Sequence, residues 1–433
     1  MSVETLEGLK RRVVIELDAE QVEKDIESRL KELARRVRVD GFRPGKVPVK
    51  VVRNMHGAEV ENEVIGEAIG KKYQATITEL KLEPAGQPVI DRPSEENKYS
   101  FTAEFEVMPE VKLDNLDKLE AVKFEAEVTD ADLENMLKTL QKQSQTWKES
   151  DEAAKLEDRV NINFVGRVDG EEFEGGKAEN TPLILGSNSM IPGFEDQIVG
   201  MKKGETKTIK VTFPDDYQAE HLEGKEAEFD ITVNSVEVGE LPEIDAQFAE
   251  RFGIADGDVE KLRSELRKNM ERELNNVIHN RFKSSVLESL EKNHELEVPQ
   301  VMVVSEAQAM AQQSNFPQPR SQEEANQLME LITQIFSKQA EQKVRLSLLV
   351  SKFIEDNKIT PDESYVDKRL ELIASTYEDP AEVIEHFKKD KNSMQNIRNI
   401  ALEDQVVDLL AEKAAVVTEK KTFDELMNQQ AQR

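Results

Sequence analysis

Residues 183–209 read LILGSNSMIPGFEDQIVGMKKGETKTI, and this stretch indicates what kind of domain lies in the middle of the chain. Glycine, proline and phenylalanine are concentrated here and across residues 158–239. Short segments with alternating apolar and polar residues surround or overlap it: VNINFVGRV, ETKTIKVTF and AEFDITVNSVEV. Alternation with a period of two, bounded by glycine and proline, is typical of β-strands. The stretch therefore predicts a compact β-rich module.

Two further motifs connect this module with a known family. NFVGRVDGEEFEGG (residues 163–176) precedes the stretch, and FPDDYQAEHLEGKEAEFDITVNSVEV (213–238) follows it. As an ordered set the three motifs resemble FKBP-type peptidyl-prolyl isomerases. The resemblance implies an antiparallel β-sheet with a short helix, a substrate carbonyl held by the backbone N–H of Ile191, and a catalytic pocket formed by Phe164, Phe173, Glu174, Met190, Ile191, Phe194, Tyr217 and Phe229. Phe194 stands where small FKBPs usually have Trp, which bears on the depth of the pocket. Glu174 stands where Asp is usual, which bears on binding of the family's macrolide inhibitors.

Prolyl isomerisation fits the chemistry that this sequence offers. Rotation of an Xaa-Pro bond crosses a barrier of ~18–20 kcal/mol because the planar amide is stabilised by resonance. A dry aromatic cup disfavours the planar ground state relative to the twisted transition state, which has less charge separation. No nucleophile or metal is needed. The alternative is that the aromatic side chains only fill the core of a small β-domain.

The composition argues against several other classes of function. The chain has 433 residues, no cysteine and a net charge of −30, so we expect about three domains and neither disulfides nor thiolate chemistry. The five histidines are scattered, and no G-x-x-x-x-G-K-[ST] motif occurs, so we expect no metal and no cofactor. The acidic charge disfavours DNA as a partner of the whole molecule. The sequence has neither a signal peptide nor a run of ~20 apolar residues, which predicts a cytoplasmic protein without a membrane partner.

The N-terminal region predicts an α+β domain. Residues 11–17 alternate as a strand, and residues 19–36 show helical spacing of apolar side chains. We expect two helices broken at Gly57 within residues 49–80, and then a strand with one apolar face, which carries Phe101, Ala103, Phe105 and Val107. This domain should end near Val111.

The loop GFRPGKVP (residues 41–48) lies between the first two predicted helices. From residue 35 to 53 there are seven cations and one acid, a local charge of +6 in a chain at −30. Arginine pairs with phosphate, and Phe42 is suited to an apolar crevice or to stacking on a base. The loop therefore predicts a docking site for RNA or protein. The alternative is a solvated basic turn.

The segments on either side of the β-rich module predict helices. Residues 120–149 read as a strand and a helix, with Thr129 as N-cap and Asp132 completing a capping box. After residue 241, apolar residues recur every three or four positions from Val259 to Phe282 and again from Leu328 to Phe353. Low aromatic content and high charge favour exposed apolar grooves there.

These features together resemble the bacterial trigger factor family over the whole chain: the GFRPGKVP loop, the inserted FKBP-like module, LPEIDAQFAERFG (241–253) and the helical C-terminus. The resemblance implies a multidomain α+β fold. It consists of an N-terminal α+β ribosome-binding domain (1–111), a linker and first part of the chaperone body (112–149), an FKBP-type domain with an antiparallel β-sheet and short helix (150–240), and a long all-α chaperone domain with arms (241–433).

The resemblance also implies a function and partners. A ribosome-associated chaperone would bind nascent unfolded polypeptides at the exit tunnel without ATP and isomerise Xaa-Pro bonds. It would contact ribosomal RNA and a large-subunit protein beside the tunnel through Gly41, Phe42, Arg43, Pro44, Gly45, Lys46 and Pro48. Exposed apolar arms would also allow a homodimer of the free protein. Two alternatives are a free cytosolic holdase whose FKBP module binds peptide without catalysis, and a periplasmic chaperone-isomerase of similar layout.

Overall fold

The structure, a computed structural model, describes residues 3–40, 42–43, 46–91, 98–215, 217, 219, 221–314, 316, 319, 321–377 and 379–428. Its strands are β1 (Val3–Thr5), β2 (Lys10–Glu16), β3 (Val89–Asp91), β4 (Ser100–Glu106), β5 (Glu120–Glu125), β6 (Thr146–Ser150), β7 (Arg159–Val168), β8 (Glu171–Ile184), β9 (Thr206–Thr212), β10 (Glu226–Glu240) and β11 (Ala415–Lys420). Its helices are α1 (Ala19–Arg36), α2 (Val49–Leu80), α3 (Asp130–Gln143), α4 (Ala246–Arg251), α5 (Val259–Lys292), α6 (Gln300–Gln312), α7 (Gln322–Asn357), α8 (Glu363–Ala374), α9 (Pro380–Lys389), α10 (Lys391–Ala411) and α11 (Phe423–Asn428).

The chain divides into two compact units, residues 1–124 with 279–419, and residues 125–278 with 420–433. The multidomain α+β fold class is confirmed, with sheets in both units and long helices in the C-terminal half. Within the described part of the chain, no helix is both long enough and apolar enough to cross a membrane.

The first unit contains an antiparallel sheet in the order β1-β2-β4-β3. The alternation expected in β4 is confirmed, since Phe101, Ala103 and Phe105 are buried and the residues between them are not. Helix α1 has the predicted bounds, and the Asp18 side chain caps its N-terminus by accepting from the N–H groups of Glu20 and Gln21.

The break expected at Gly57 is wrong, because α2 runs unbroken from Val49 to Leu80. A glycine inside a helix costs only about 0.5–1 kcal/mol relative to alanine. Val52 lies before Gly57 and Val60 and Val64 lie after it, and all three are buried in one cluster with the apolar face of α1. This burial on both sides of the glycine outweighs its local cost.

Two large apolar clusters lie in the helical part of the first unit, and a smaller one joins α8 to α10. One includes Ala307, Val344 and Leu348 on the α6 and α7 helices. The other joins Leu119 and Ala121 of the β5 region to α5, α7 and α10, with Val286 and Phe353 among its members. The C-terminal region, expected to be all-α, also contains β11, which pairs with β5.

The second unit contains the β-rich module as an antiparallel sheet, in the order β6-β10-β7-β8 with β9 also paired to β10. Strands β7, β9 and β10 are confirmed at their predicted places. Strand β8 was not predicted, since its glycines interrupt the alternation and its pairing with β7 shifts register twice. A short helix was also expected in the module, but none forms among its described residues. Residues 192–200 form successive turns instead, closed by bonds such as Phe194 N–H to Ile191 C=O (3.1 Å) and Ile198 N–H to Glu195 C=O (3.1 Å).

The capping box predicted for α3 is present. The Thr129 hydroxyl accepts from the Asp132 N–H (3.3 Å), and the Asp132 carboxylate accepts from the Thr129 N–H (2.8 Å). Asp therefore serves here in the place where Glu is more common.

Candidate functional site

An aromatic cavity of about 380 Å³ lies in the β-rich module. The structure brings together seven of the eight candidate catalytic residues as its lining: Phe164, Phe173, Met190, Ile191, Phe194, Tyr217 and Phe229. Glu174, the eighth, is exposed next to Phe173 and is not among the described lining residues.

The rings of the cavity hold one another by edge-to-face contacts. Phe194 is 1% exposed, and its ring centroid lies 5.8 Å from that of Phe164 and 5.2 Å from that of Phe229. Phe173 packs against Phe229 at 6.0 Å. Such geometry places the positive edge of one ring on the negative face of the next. The rings therefore pack against one another and form an apolar cup.

Two glycines leave room for these rings. A Cβ atom on Gly166 would lie 2.4 Å from Cε1 of Phe229 and 2.9 Å from Cε1 of Phe173. A Cβ atom on Gly176 would lie 2.8 Å from Cζ of Phe173. Any larger residue at these positions would clash with a ring of the cup and force it to move.

Several lining residues were missed by the sequence analysis. They are Gly175, Ser189, Pro192, Phe213 and Pro214. The ring of Phe213 lies 4.7 Å from that of Tyr217 and 5.8 Å from that of Phe173. Its place at the start of the motif FPDDY, four residues before Tyr217, was a signal that could have found it.

A buried carboxylate positions the segment that carries Met190 and Ile191. Glu195 is only 6% exposed. Its two oxygens accept main-chain N–H groups from Gly186 (2.7 Å), Ser189 (2.9 Å), Asn188 (3.1 Å) and Met190 (3.2 Å). Burial alone would raise the pKa of Glu195, but these N–H donors together hold the pKa below its ordinary value. The carboxylate therefore stays ionised and organises the loop, a role that the sequence analysis missed.

The cavity also offers unused polar groups. Among the described residues, neither the backbone N–H of Ile191 nor the Tyr217 hydroxyl has a hydrogen-bond partner. Within the same described part, no cluster of His, Asp and Glu side chains is arranged to hold a metal. The cavity thus combines an apolar cup with a free backbone donor at its wall.

A larger cavity of about 670 Å³ lies between α1 and α2 in the first unit. Its described lining is polar and of mixed charge, including Asp18, Asp25, Arg29 and Lys71, and contains no aromatic side chain. A prolyl ring needs an apolar aromatic lining, so the smaller aromatic cavity is the stronger candidate for prolyl isomerisation.

The basic segment around the GFRPGKVP loop is exposed in the structure. Phe42 is 41% exposed, whereas Val47 is buried between α1 and α2 and anchors the loop. Pro48 is the N-cap of α2. Gly41, Pro44 and Gly45 lie outside the described residues. The segment carries seven exposed cations, none of which forms an ion pair within the part that the structure describes: Arg35, Arg36, Arg38, Arg43, Lys46, Lys50 and Arg53.

Comparison with known families covers most of the chain. Residues 1–140 match the family described as bacterial trigger factor protein, residues 258–412 match the C-terminus of the same protein, and residues 150–234 match FKBP-type peptidyl-prolyl cis-trans isomerase. A curated trigger factor from Pseudoalteromonas atlantica is 45% identical over 436 residues, covering 100% of both chains.

The chain belongs to the trigger factor family. It is a ribosome-associated chaperone that binds nascent chains and carries an FKBP-type domain. The alternative of a helical chaperone that acts only free in the cytosol is not favoured. A solved structure from work on promiscuous substrate recognition by the trigger factor chaperone aligns with a TM-score of 0.45 at 19% identity, over 95% of this chain and 99% of that chain.

Proposed function

We propose that the aromatic cavity catalyses cis–trans isomerisation of Xaa-Pro bonds in the polypeptides that this chaperone holds. The observation that carries the proposal is the closed set of edge-to-face rings, with Phe194 at the floor and a free Ile191 N–H at the wall. The pocket excludes water from the prolyl ring and leaves one donor for a substrate carbonyl.

The proposed mechanism needs only binding and desolvation. In the planar state the amide oxygen carries partial negative charge and the nitrogen partial positive charge. An apolar cup solvates that charge separation poorly, so it destabilises the planar amide more than the twisted transition state. The Ile191 N–H would hold the substrate carbonyl while the prolyl ring rests in the aromatic cup, over the floor formed by Phe194. Glu174, outside the cup, would act only on polypeptide that extends beyond it.

The test is isomerisation of a short peptide with one Xaa-Pro bond, measured by NMR exchange. We expect Ile191→Pro, which removes the N–H, to lower kcat/KM at least about tenfold, as expected for one catalytic hydrogen bond. Ile191→Val keeps the N–H and should keep most of the activity. Exchange no faster with the wild-type protein than without it would refute the proposal.

We propose further that the basic segment docks on ribosomal RNA and on a protein beside the exit tunnel. Unpaired cations are unusual in a chain with 88 acidic residues and 58 Lys and Arg, and phosphate would supply the missing partner charge. Phe42 is exposed next to Arg43, so an apolar crevice or a base is within reach of the same loop.

Co-sedimentation with bacterial ribosomes at several salt concentrations tests the docking. We expect the variant Phe42→Ala, Arg43→Ala, Lys46→Ala to lose binding. The matched control Val89→Ala, Lys10→Ala, Lys71→Ala removes one exposed apolar group and two cations elsewhere in the same region and should bind normally. If phosphates are the partners, loss of two contacts should flatten the log–log salt slope by about 1.5–2. Equal binding by both variants would place the contact elsewhere.

The division of labour along the chain is part of the same proposal. Residues 1–111 would bind the ribosome, 150–240 would isomerise prolyl bonds, and 112–149 with 241–433 would hold unfolded polypeptide in the cytoplasm. A homodimer of the free protein would use exposed apolar side chains such as Leu331 and Ile335, one turn apart on α7 and 46% and 52% exposed. Sedimentation equilibrium of Leu331→Ser, Ile335→Ser against the wild type tests that association.

A further inference from the structure

Strands β5 and β11 form a sheet with two unequal edges. The N–H of Ala415 donates to the C=O of Leu119 (2.7 Å), and the N–H of Lys421 donates to the C=O of Glu125 (3.0 Å). Since both partner numbers rise by six between these bonds, the two strands run in the same direction. In a parallel ladder, alternate residues of each strand turn both main-chain groups toward the partner or away from it.

The β5 edge is closed by helix α5. The Ser289 hydroxyl accepts from the N–H of Glu120 (2.9 Å), and the Ser285 hydroxyl accepts from the N–H of Val122 (2.8 Å). Four residues of helix rise about 6 Å and two residues of strand span about 6.6 Å, so the serines match the outward N–H groups in spacing. Side chains thus satisfy the edge that faces the helix.

The β11 edge has no such cover. Because Ala415 faces β5, the main-chain groups of Val416 and Thr418 point away from it, and no further strand pairs with β11 among the described residues. Every residue of β11 is exposed, with Val416 at 41% and Val417 at 56% on opposite faces. An open edge with apolar residues on both faces is a template for another extended chain.

We propose that β11 binds an extended, apolar segment of unfolded polypeptide by strand addition. Only an extended backbone can match donors and acceptors that repeat every second residue, and valine or isoleucine side chains of the guest would cover Val416 and Val417. This inference rests on the binding of unfolded polypeptide by the chaperone and adds a backbone-reading site to it. The site would favour β-branched segments of about five residues.

Charge argues against a second copy of the chain as the occupant. Residues 412–421 carry three lysines and two glutamates, a net of +1, whereas each whole chain carries −30. A second copy of this strand paired here would bring two segments of net +1 together, which is unfavourable, while a neutral or mildly acidic unfolded segment is not repelled. Unfolded polypeptide is also the ligand that already reaches this molecule.

The experiment uses a fluorescent decapeptide of alternating valine and threonine, flanked by one glutamate at each end, and the full-length protein. Methylation of two adjacent central amide nitrogens blocks both edges of the peptide and should abolish binding. Thr418→Pro removes an outward N–H without touching the ladder to β5, and we expect it to weaken binding about tenfold, the effect of one to two main-chain hydrogen bonds. Thr418→Val keeps the N–H and should bind like the wild type.

Hydrogen exchange at single residues of the wild-type protein provides a second test, which does not depend on whether the Thr418→Pro variant folds. In the wild type, the peptide should slow exchange of the Val416 and Thr418 amides and leave Val417, already paired with β5, unchanged. Unaltered exchange at Val416 and Thr418, or equal binding of the methylated peptide, would overturn the inference. Slowing that depends on protein concentration without peptide would show self-pairing and also overturn it. Isomerisation of a short Xaa-Pro peptide, measured on the same variants, should be unchanged, so failure of the two proposals is distinguishable.

Discussion

Replacing Glu195 by glutamine tests whether a buried carboxylate builds the isomerase loop. The two carboxylate oxygens each accept two main-chain N–H groups, Gly186 and Asn188 on one and Ser189 and Met190 on the other. Glutamine has one oxygen, so in either orientation two N–H groups would face an NH₂ group. Each unsatisfied donor costs about 1–3 kcal/mol, and because water reaches part of this loop we expect a loss of about 2–4 kcal/mol.

Unfolding of the module in urea can be followed by the fluorescence of the single tryptophan. Trp147 lies on β6 in the sheet of this module, with the Arg159 guanidinium 4.7 Å from its ring, so its fluorescence reports unfolding of the module within the full chain. With a urea dependence of about 1.5 kcal/mol per M, the midpoint of Glu195→Gln should fall by about 2 M. The activity on a short Xaa-Pro peptide should fall with it, because Met190 and Ile191 lose their support.

The stabilisation that Glu195 provides should also depend on pH, in a direction set by its pKa. The pKa of Glu195 is lowered in the folded state, so its stabilisation is present above the unfolded pKa of about 4.3 and is lost as pH falls through the folded value. The difference in unfolding free energy between the wild type and Glu195→Gln should therefore become smaller below pH 4. Asp196→Asn, an exposed neighbour, is the matched control and should unfold like the wild type. If Glu195→Gln and Asp196→Asn share one midpoint at pH 7, the reasoning is wrong.

Three further changes test other parts of the structure. Gly166→Ala should displace the ring of Phe229 and so distort the cup, lowering kcat/KM for prolyl isomerisation at least about tenfold. The overpacking should also cost about 1–3 kcal/mol of folding free energy, measured by Trp fluorescence in urea, and unchanged activity would contradict the cup geometry. Gly66→Ala, whose Cβ would meet nothing within 4 Å inside α2, should instead stabilise the first unit by about 0.5–1 kcal/mol, and slower amide exchange along α2 is the readout. Asp404→Asn should cost about 3 kcal/mol, followed by circular dichroism at 222 nm, because Asp404 is 14% exposed and contacts His279, Lys283 and Arg369. Burial alone would raise the pKa of Asp404, but those three side chains hold it lower, so the wild-type advantage should disappear in acid and persist at pH 7.

The sequence predicted those residues of the candidate site that lie within recognisable local motifs. The motifs around Phe164, Phe173 and Phe229 placed three rings that do meet in one cavity. Glu195 was not predictable, because a glutamate between Phe194 and Asp196 has no local mark of burial. Only the turn of residues 186–190 around its carboxylate removes it from water.

Local sequence patterns determined strands β7, β9 and β10 of the module, the bounds of α1 and the capping box at Thr129, because each depends on residues within a few positions of one another. Tertiary structure decided what depends on distant partners. Helix α2 continues past Gly57 because Val52, Val60 and Val64 are buried against α1. Strand β11 forms because β5, almost 300 residues earlier in the chain, supplies its ladder. Ser285 and Ser289 then close one edge of that sheet and leave the other open, since hydrogen-bond partners across a fold leave no periodic signal in the sequence.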